Sequence, residues 1–142
     1  MSLFFQKFSK LNIGRFEPGC AKFHDKNHQI TVVVAGGQDA ETGEMIPEVE
    51  MYHQNHWKII GSLKSGRNHY PSIAILNSSL MIFGGKTDQS ISTTFERFDP
   101  VTQNWTIDEK LHLKEERYYH STIRFRKEWC ENTRIHLIDS PK

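Results

Sequence analysis

The sequence predicts an all-β fold in which one four-stranded antiparallel unit of about 50 residues occurs more than once. Two observations predict this fold. Five features recur in one order at nearly constant spacing, and each unit contains short apolar segments separated by turn residues. The 142 residues, 37% of them hydrophobic, are enough for one domain of ordinary size.

The unit begins with a leucine and an arginine four residues apart. This pattern occurs three times, as "LNIGR" at 11–15, "LKSGR" at 63–67 and "LKEER" at 113–117. The leucines lie 52 and 50 residues apart. An apolar run that ends in two glycines follows, and the two glycine pairs, Gly36-Gly37 and Gly84-Gly85, are 48 residues apart.

The second half of the unit contains a glutamate, an aromatic residue two positions later, and a tryptophan. These residues are Glu50, Tyr52 and Trp57 in the first unit, and Glu96, Phe98 and Trp105 in the second. Each tryptophan stands 20 residues after the second glycine of its unit. The loop before the glutamate is longer in the first unit, and the loop before the tryptophan is longer in the second. This compensation is expected when the strands are fixed and the loops can vary in length.

Each unit contains four segments with the character of strands. In the second unit the predicted strands are roughly Tyr70–Leu76, Ser79–Phe83, Thr93–Phe98 and Asn104–Ile107. The nearly continuous apolar run "SLMIF" suits a strand that is buried on both faces. "DPVTQN" suits a type I turn with proline at its second position. Four short antiparallel strands repeated at this period are typical of a β-propeller blade.

These residues resemble the kelch repeat, through the apolar run with its double glycine, the Glu-x-aromatic pair and the tryptophan at fixed distance. The resemblance covers about residues 5–125 and implies a partial kelch-type β-propeller built of four-stranded antiparallel blades. A closed ring of the family has about six blades. The resemblance implies a protein-interaction module, either a substrate adaptor of a cullin-RING ubiquitin ligase or an actin-associated structural protein.

The boundaries that follow are a partial blade at 1–11, blades at 15–60 and 67–107, a partial blade at 117–125, and a divergent C-terminal tail at 126–142. In the tail, Asp139-Ser140 stands where two glycines are expected. Two blades leave open flanks, because neighbouring repeats supply much of a repeat's stability. Three interpretations are open: a fragment of a longer propeller, a partial ring that self-associates, or a degenerate product.

Eight residues are predicted to have structural roles within the blades. A Cβ at the paired glycines would obstruct the approach of the neighbouring blade, and the aromatic residues fill the space between blades. The set is Gly36, Gly37, Gly84, Gly85, Tyr52, Phe98, Trp57 and Trp105. We expect Glu50 and Glu96 to bond a neighbouring backbone or arginine.

Composition and charge argue against several classes of partner. The net charge is +1, with no basic run of the kind that tracks a phosphate backbone, so nucleic acid is not expected. No apolar run approaches the roughly 20 residues of a membrane helix. Two cysteines, Cys20 and Cys130, do not form a disulfide framework, which favours a reducing, cytoplasmic setting.

Neither a metal site nor a catalytic site is predicted. The close histidine pairs are His24 with His28 and His53 with His56, and zinc needs three or four convergent ligands. The chain has no nucleophile elbow and no phosphate-binding lysine loop. We therefore expect no cofactor and no catalytic activity. A copper oxidase that uses a kelch-like propeller is the enzyme alternative.

Partner binding is assigned to loops that open on one face of the propeller. The candidate residues are Gln38, Asp39, Lys86 and Asp88, which follow the double glycines, and Arg67, Asn68, His69, Arg117, Tyr118 and Tyr119, which precede the inner strands. Arginine mixed with aromatic residues is typical of protein interfaces. Related propellers take acidic or phosphorylated peptides on this face, which arginine could clamp. The alternative is that the repeated arginines support their own blades.

Overall fold

The computed structural model describes residues 9–24, 29–67, 69–76 and 79–122. Most of the predicted first partial blade, the 126–142 tail, Cys130 and Asn68 lie outside these residues. The described residues contain eight strands, namely β1 (Gly19–His24), β2 (Ile30–Ala35), β3 (Glu48–His53), β4 (His56–Ser62), β5 (Ser72–Leu76), β6 (Ser79–Phe83), β7 (Thr94–Asp99) and β8 (Asn104–His112).

The strands form two four-stranded sheets in sequence order, β1-β2-β3-β4 and β5-β6-β7-β8. Every neighbouring pair is antiparallel, so each sheet is a simple meander of consecutive strands. This architecture confirms the predicted all-β fold of partial, four-stranded propeller blades. None of the described residues forms a helix long and apolar enough to cross a membrane.

The predicted strands of the second unit match the observed ones except at the outer strand. β5 begins at Ser72 and β7 ends at Asp99, small shifts at strand ends. β8 continues to His112, five residues beyond the predicted end at Ile107. The register shifts between Thr94 and Phe95, so that Thr94 pairs with His112. Such a bulge inserts extra residues into one strand, which alternation of apolar and polar residues does not reveal.

The main core lies between the two sheets and includes residues of both. Its buried members are Val33, Ala35, Val49 and Ile60 from the first unit, and Leu63, Ile73, Ile82 and Trp105 from the second. A second cluster, of Met81, Phe83 and Phe95, lies on the second sheet with Leu111 and Leu113 packed against it. The two sheets therefore share one core, which explains why the apolar runs of both units are nearly continuous.

The tryptophans of the two units differ in their surroundings. Trp105 is completely buried, and its ring lies beside Gly61 of the first sheet and Phe98 of its own sheet. A Cβ at Gly61, where φ is +114°, would lie 2.7 Å from the carbonyl oxygen of Gln103 and 3.2 Å from the Trp105 ring. Trp57 is only half-buried, and its Nε1 donates to the carbonyl oxygen of Ser9 at 2.8 Å.

The paired glycines lie where one sheet meets the loop that leads into the next sheet. Gly36 and Gly37 have φ values of +67° and +89°, and a Cβ on Gly36 would overlap the carbonyl oxygen of Arg67. The Gly37 N–H donates to that carbonyl at 3.0 Å, and in the next unit the Gly85 N–H donates to the carbonyl of Arg117 at 2.9 Å. The glycines therefore permit a repeated hydrogen bond between consecutive units.

We expect Gly36→Ala to lower the free energy of unfolding by about 1–3 kcal/mol, because it forces a side chain into the left-handed region. The overlap with the Arg67 carbonyl adds to this cost. Gly14→Ala is the matched control, since a Cβ at Gly14 would meet no atom within 4 Å beyond its own chain neighbours. Urea denaturation followed by circular dichroism measures both. Equal losses in the two variants would contradict the proposed role of the close contact.

Candidate protein-interaction surface

One edge of the two sheets carries all the loops that were predicted to bind a partner. β2 and β6 end at this edge, β3 and β7 begin there, and the chain crosses it from β4 to β5. We call this edge, formed by residues 9–18, 36–47, 63–67, 69–71, 84–93 and 113–121, the loop face. Asn68, which was also predicted to bind, lies outside the described residues.

Arg67 begins the second unit and its side chain has no exposed surface. Its guanidinium donates to the Gly84 carbonyl at 2.6 Å, to the Ser92 hydroxyl at 2.8 Å and to the Thr94 hydroxyl at 2.8 Å. Burial lowers the pKa of Arg67, and the nearby carboxylate of Glu96 opposes that shift. These contacts favour the structural interpretation of Arg67 over the partner-binding one.

Arg15 repeats this arrangement in the first unit. Its guanidinium donates to the Gly36 carbonyl at 3.0 Å and to the Glu48 carbonyl at 2.7 Å. It also pairs with Glu50 at 2.9 Å, and both side chains are buried. Burial lowers the pKa of Arg15, and the nearby carboxylate of Glu50 partly opposes that shift. The arginine before the inner strand therefore links the double glycine to the third strand of its own sheet.

The repeated glutamates complete the buried ion pairs. Glu96 lies 3.4 Å from Arg67 and accepts the Lys64 N–H at 2.6 Å and the Ser65 N–H at 3.2 Å. Glu50 does the same with the N–H groups of Asn12, at 2.7 Å, and Ile13, at 3.2 Å. The expectation that these glutamates bond backbone and arginine agrees with these contacts. The Leu-x-x-x-Arg and Glu-x-aromatic features are thus two halves of one buried network.

Arg117 occupies the third position in this series but has different surroundings. Its side chain is 46% exposed, and it lies 3.7 Å from Glu115 in the same loop. Its carbonyl accepts from Gly85 in the same way as the carbonyl of Arg67 accepts from Gly37. Arg117 therefore keeps the backbone role of the repeat while its guanidinium faces solvent.

Five side chains from three consecutive units meet on the loop face, and we call them the tyrosine patch. They are Glu17, His69, Tyr70, Tyr118 and Tyr119. The Tyr119 hydroxyl donates to one oxygen of the Glu17 carboxylate at 3.3 Å, and the other oxygen contacts Nδ1 of His69. The ring of Tyr119 lies 4.6 Å from Tyr70, 4.9 Å from Tyr118 and 6.1 Å from His69, measured between centroids.

Three members of the tyrosine patch follow from the repeat itself. Glu17, His69 and Tyr119 each stand two residues after the arginine of their unit, so successive units bring the same position to one place. Tyr70, Tyr118 and Tyr119 are 37%, 40% and 58% exposed, so the patch presents aromatic surface to solvent. The sequence predicted His69, Tyr118 and Tyr119 as binding residues, but not Glu17 or Tyr70. Comparing the residue two positions after each arginine would have found Glu17, whereas Tyr70 stands three positions after Arg67 and does not follow from that comparison.

The remaining candidate residues lie on the loop face outside the patch. The backbone of Gln38 bridges to Phe16 and Met45, and that of Lys86 bridges to His69 and Ile91. The carboxylate of Asp39 accepts the N–H groups of Glu41 and Thr42, each at 2.9 Å, and these hydrogen bonds lower its pKa. Lys86 and Asp88 are exposed. Asp39 thus stabilises its own turn, and Lys86 and Asp88 face solvent.

A groove of about 860 Å³ lies beside the patch, between β1 and β5. Apolar residues such as Phe23, Ile75 and Leu76 line it, together with Lys22 and His120. Burial lowers the pKa of His120, and the charge of Arg117 acts in the same direction. The part of the chain that the structure describes has no group of three or more His, Cys, Asp or Glu residues placed to hold a metal ion.

The fold and this surface define a class of protein: a partial β-propeller with aromatic loops at one edge of its blades. The family model described as Kelch motif matches residues 67–110, which confirms the kelch resemblance in the second unit. Among solved structures the chain is similar to YjhT, with a TM-score of 0.52 and 18% sequence identity. The similarity covers 73% of this chain and 34% of the YjhT chain, so the chain spans about a third of that protein. No curated protein matches the sequence.

Proposed function

We propose that this chain is a protein-interaction module of kelch type that binds a partner protein through the tyrosine patch. The observation that carries the proposal is the convergence of three exposed tyrosines from successive units on one face. Tyrosine is enriched among the residues that dominate binding energy in protein interfaces. The Kelch motif in residues 67–110 supports the same class of function.

The proposed surface consists of the patch and the exposed charges around it, Arg117, Lys86 and Asp88. Asp39 and Gln38 stabilise the rim of this surface through their turn. Arg67 is excluded from direct contact because its guanidinium is buried. A substrate adaptor of a ubiquitin ligase is one form that such a module takes, and its substrate would occupy this same face.

The test compares a patch variant with a variant at the opposite end of the sheets. Binders are selected from a displayed library of protein fragments on the immobilised chain. We expect Tyr119→Ser to weaken the selected binders about 30-fold, which corresponds to a loss of about 2 kcal/mol for an interface hot spot. The thermal melt should hardly change, because Tyr119 is largely exposed.

Val101→Ser is the matched control for this test. Val101 is 89% exposed in the turn between β7 and β8, away from the loop face. Its replacement should leave binding unchanged. Binders that are insensitive to Tyr119→Ser but lost in Val101→Ser would place the interface on the opposite edge and contradict the proposal.

A further inference from the structure

We infer that the partner segment presents an arginine or lysine side chain to the tyrosine patch. This inference rests on the proposed function and specifies the chemistry of the partner. Tyrosine rings attract a cation over their faces within about 6 Å of the ring centroid. The ring of Tyr119 contacts those of Tyr70 and Tyr118 at tilted angles of 43° and 54°, and all three side chains are partly exposed, so aromatic surface is available to a cation of the partner.

The patch also contains a carboxylate that lacks a permanent cationic partner among the described residues. Glu17 contacts the Tyr119 hydroxyl, which is neutral, and Nδ1 of His69, which carries a charge only when protonated. Burial raises the pKa of Tyr119, and the charge of Glu17 raises it further, as expected where the local potential is negative. No lysine or arginine of the described chain stacks on the three tyrosines.

A second loop of the loop face, residues 38–44, adds further carboxylates. Residues 38–44 contain three carboxylates, Asp39, Glu41 and Glu44, and no basic side chain. Glu41 and Glu44 are exposed. A partner segment with a cation over the tyrosines and a second basic residue nearby would therefore meet complementary charge at both positions.

The opposite expectation, an acidic or phosphorylated partner, depended on arginine forks at the loop face. Arg67 is buried in its ion pair, so it cannot reach a partner. Arg117 and Lys86 remain exposed near the patch and are the groups that would bind an anion. An acidic partner would therefore depend on these two residues, whereas a basic partner depends on Glu17 and the tyrosine rings.

The experiment is a selection of displayed 12-residue peptides on the full chain, with counter-selection on the Tyr118→Ser/Tyr119→Ser double variant. We expect the recovered peptides to be enriched in arginine or lysine. Replacing that arginine by citrulline, which keeps the shape and removes the charge, should weaken binding at least about tenfold. Glu17→Gln should weaken it about fivefold, with an unchanged melt.

Two other results overturn the inference in distinguishable ways. Recovery of acidic peptides that lose binding in Arg117→Ala or Lys86→Ala, but not in Glu17→Gln, would refute a cationic partner and leave the interaction surface in place. If the counter-selection leaves no peptide, because every binder of the unaltered chain also binds the double variant, both the cationic partner and the patch as an interface are refuted.

Discussion

Arg67→Ala is expected to lower the free energy of unfolding by about 3–5 kcal/mol, the range for breaking a buried ion pair by removing one partner. The carboxylate of Glu96 would remain completely buried without its cation. The Gly84 carbonyl and the hydroxyls of Ser92 and Thr94 would lose the donors that Arg67 supplies. Urea denaturation followed by far-ultraviolet circular dichroism measures the loss.

Arg117→Ala is the matched control, because it removes the same residue type from the same position of the repeat. Its guanidinium is 46% exposed and pairs with an exposed glutamate, so we expect a change within about 0.5 kcal/mol. Similar losses of unfolding free energy in the two variants would show that the burial of Arg67 does not distinguish its contribution to stability from that of Arg117. A small loss for Arg67→Ala would contradict the buried network.

The double variant Arg67→Met/Glu96→Leu tests whether Glu96 stabilises the fold through its backbone hydrogen bonds as well as through its ion pair with Arg67. Replacing both charges by apolar residues often restores stability where an ion pair is isolated. Here Glu96 also accepts the N–H groups of Lys64 and Ser65, which the double variant would leave without acceptors. We therefore expect only partial recovery relative to Arg67→Ala.

The fold could be predicted from the sequence because each unit repeats the residues that the packing requires. The double glycine is needed where the next unit's backbone approaches, and the apolar runs of β2 and β6 are buried on both faces. These requirements are local to one or two positions, so they leave a pattern in the chain. The extension of β8 to His112 left none, because it depends on a register shift opposite Thr94.

The candidate surface could be predicted only in part. The sequence shows that Arg15, Arg67 and Arg117 are equivalent, but their exposure depends on whether a glutamate of the third strand lies beside them. That contact joins residues 29 positions apart for Arg67 and 35 for Arg15. The patch likewise depends on contacts between units, since Glu17 and Tyr119 are 102 positions apart. The composition of single loops therefore indicated His69, Tyr118 and Tyr119 but could not identify Glu17, whose own loop gives no sign of the contact.

Trp105→Ala is expected to cost about 3–5 kcal/mol, the range for removing a buried large aromatic side chain. The ring is completely buried between the two sheets, where it contacts Phe98 and lies against Gly61. Its removal would leave a cavity in the main core, because Gly61 has no side chain to fill it. Circular dichroism is the appropriate probe, since the substitution also removes a fluorophore.

Trp57→Ala tests whether the loss of stability depends on how deeply the ring is buried or on its position in the repeat. Trp57 has the same place in its unit and a similar aromatic neighbour, Tyr52 at 5.2 Å, but it is only half-buried. Its loss removes less buried area and the hydrogen bond to Ser9, so we expect about half the cost of Trp105→Ala. Equal costs for the two substitutions would contradict this prediction, because Trp57 is much less buried than Trp105.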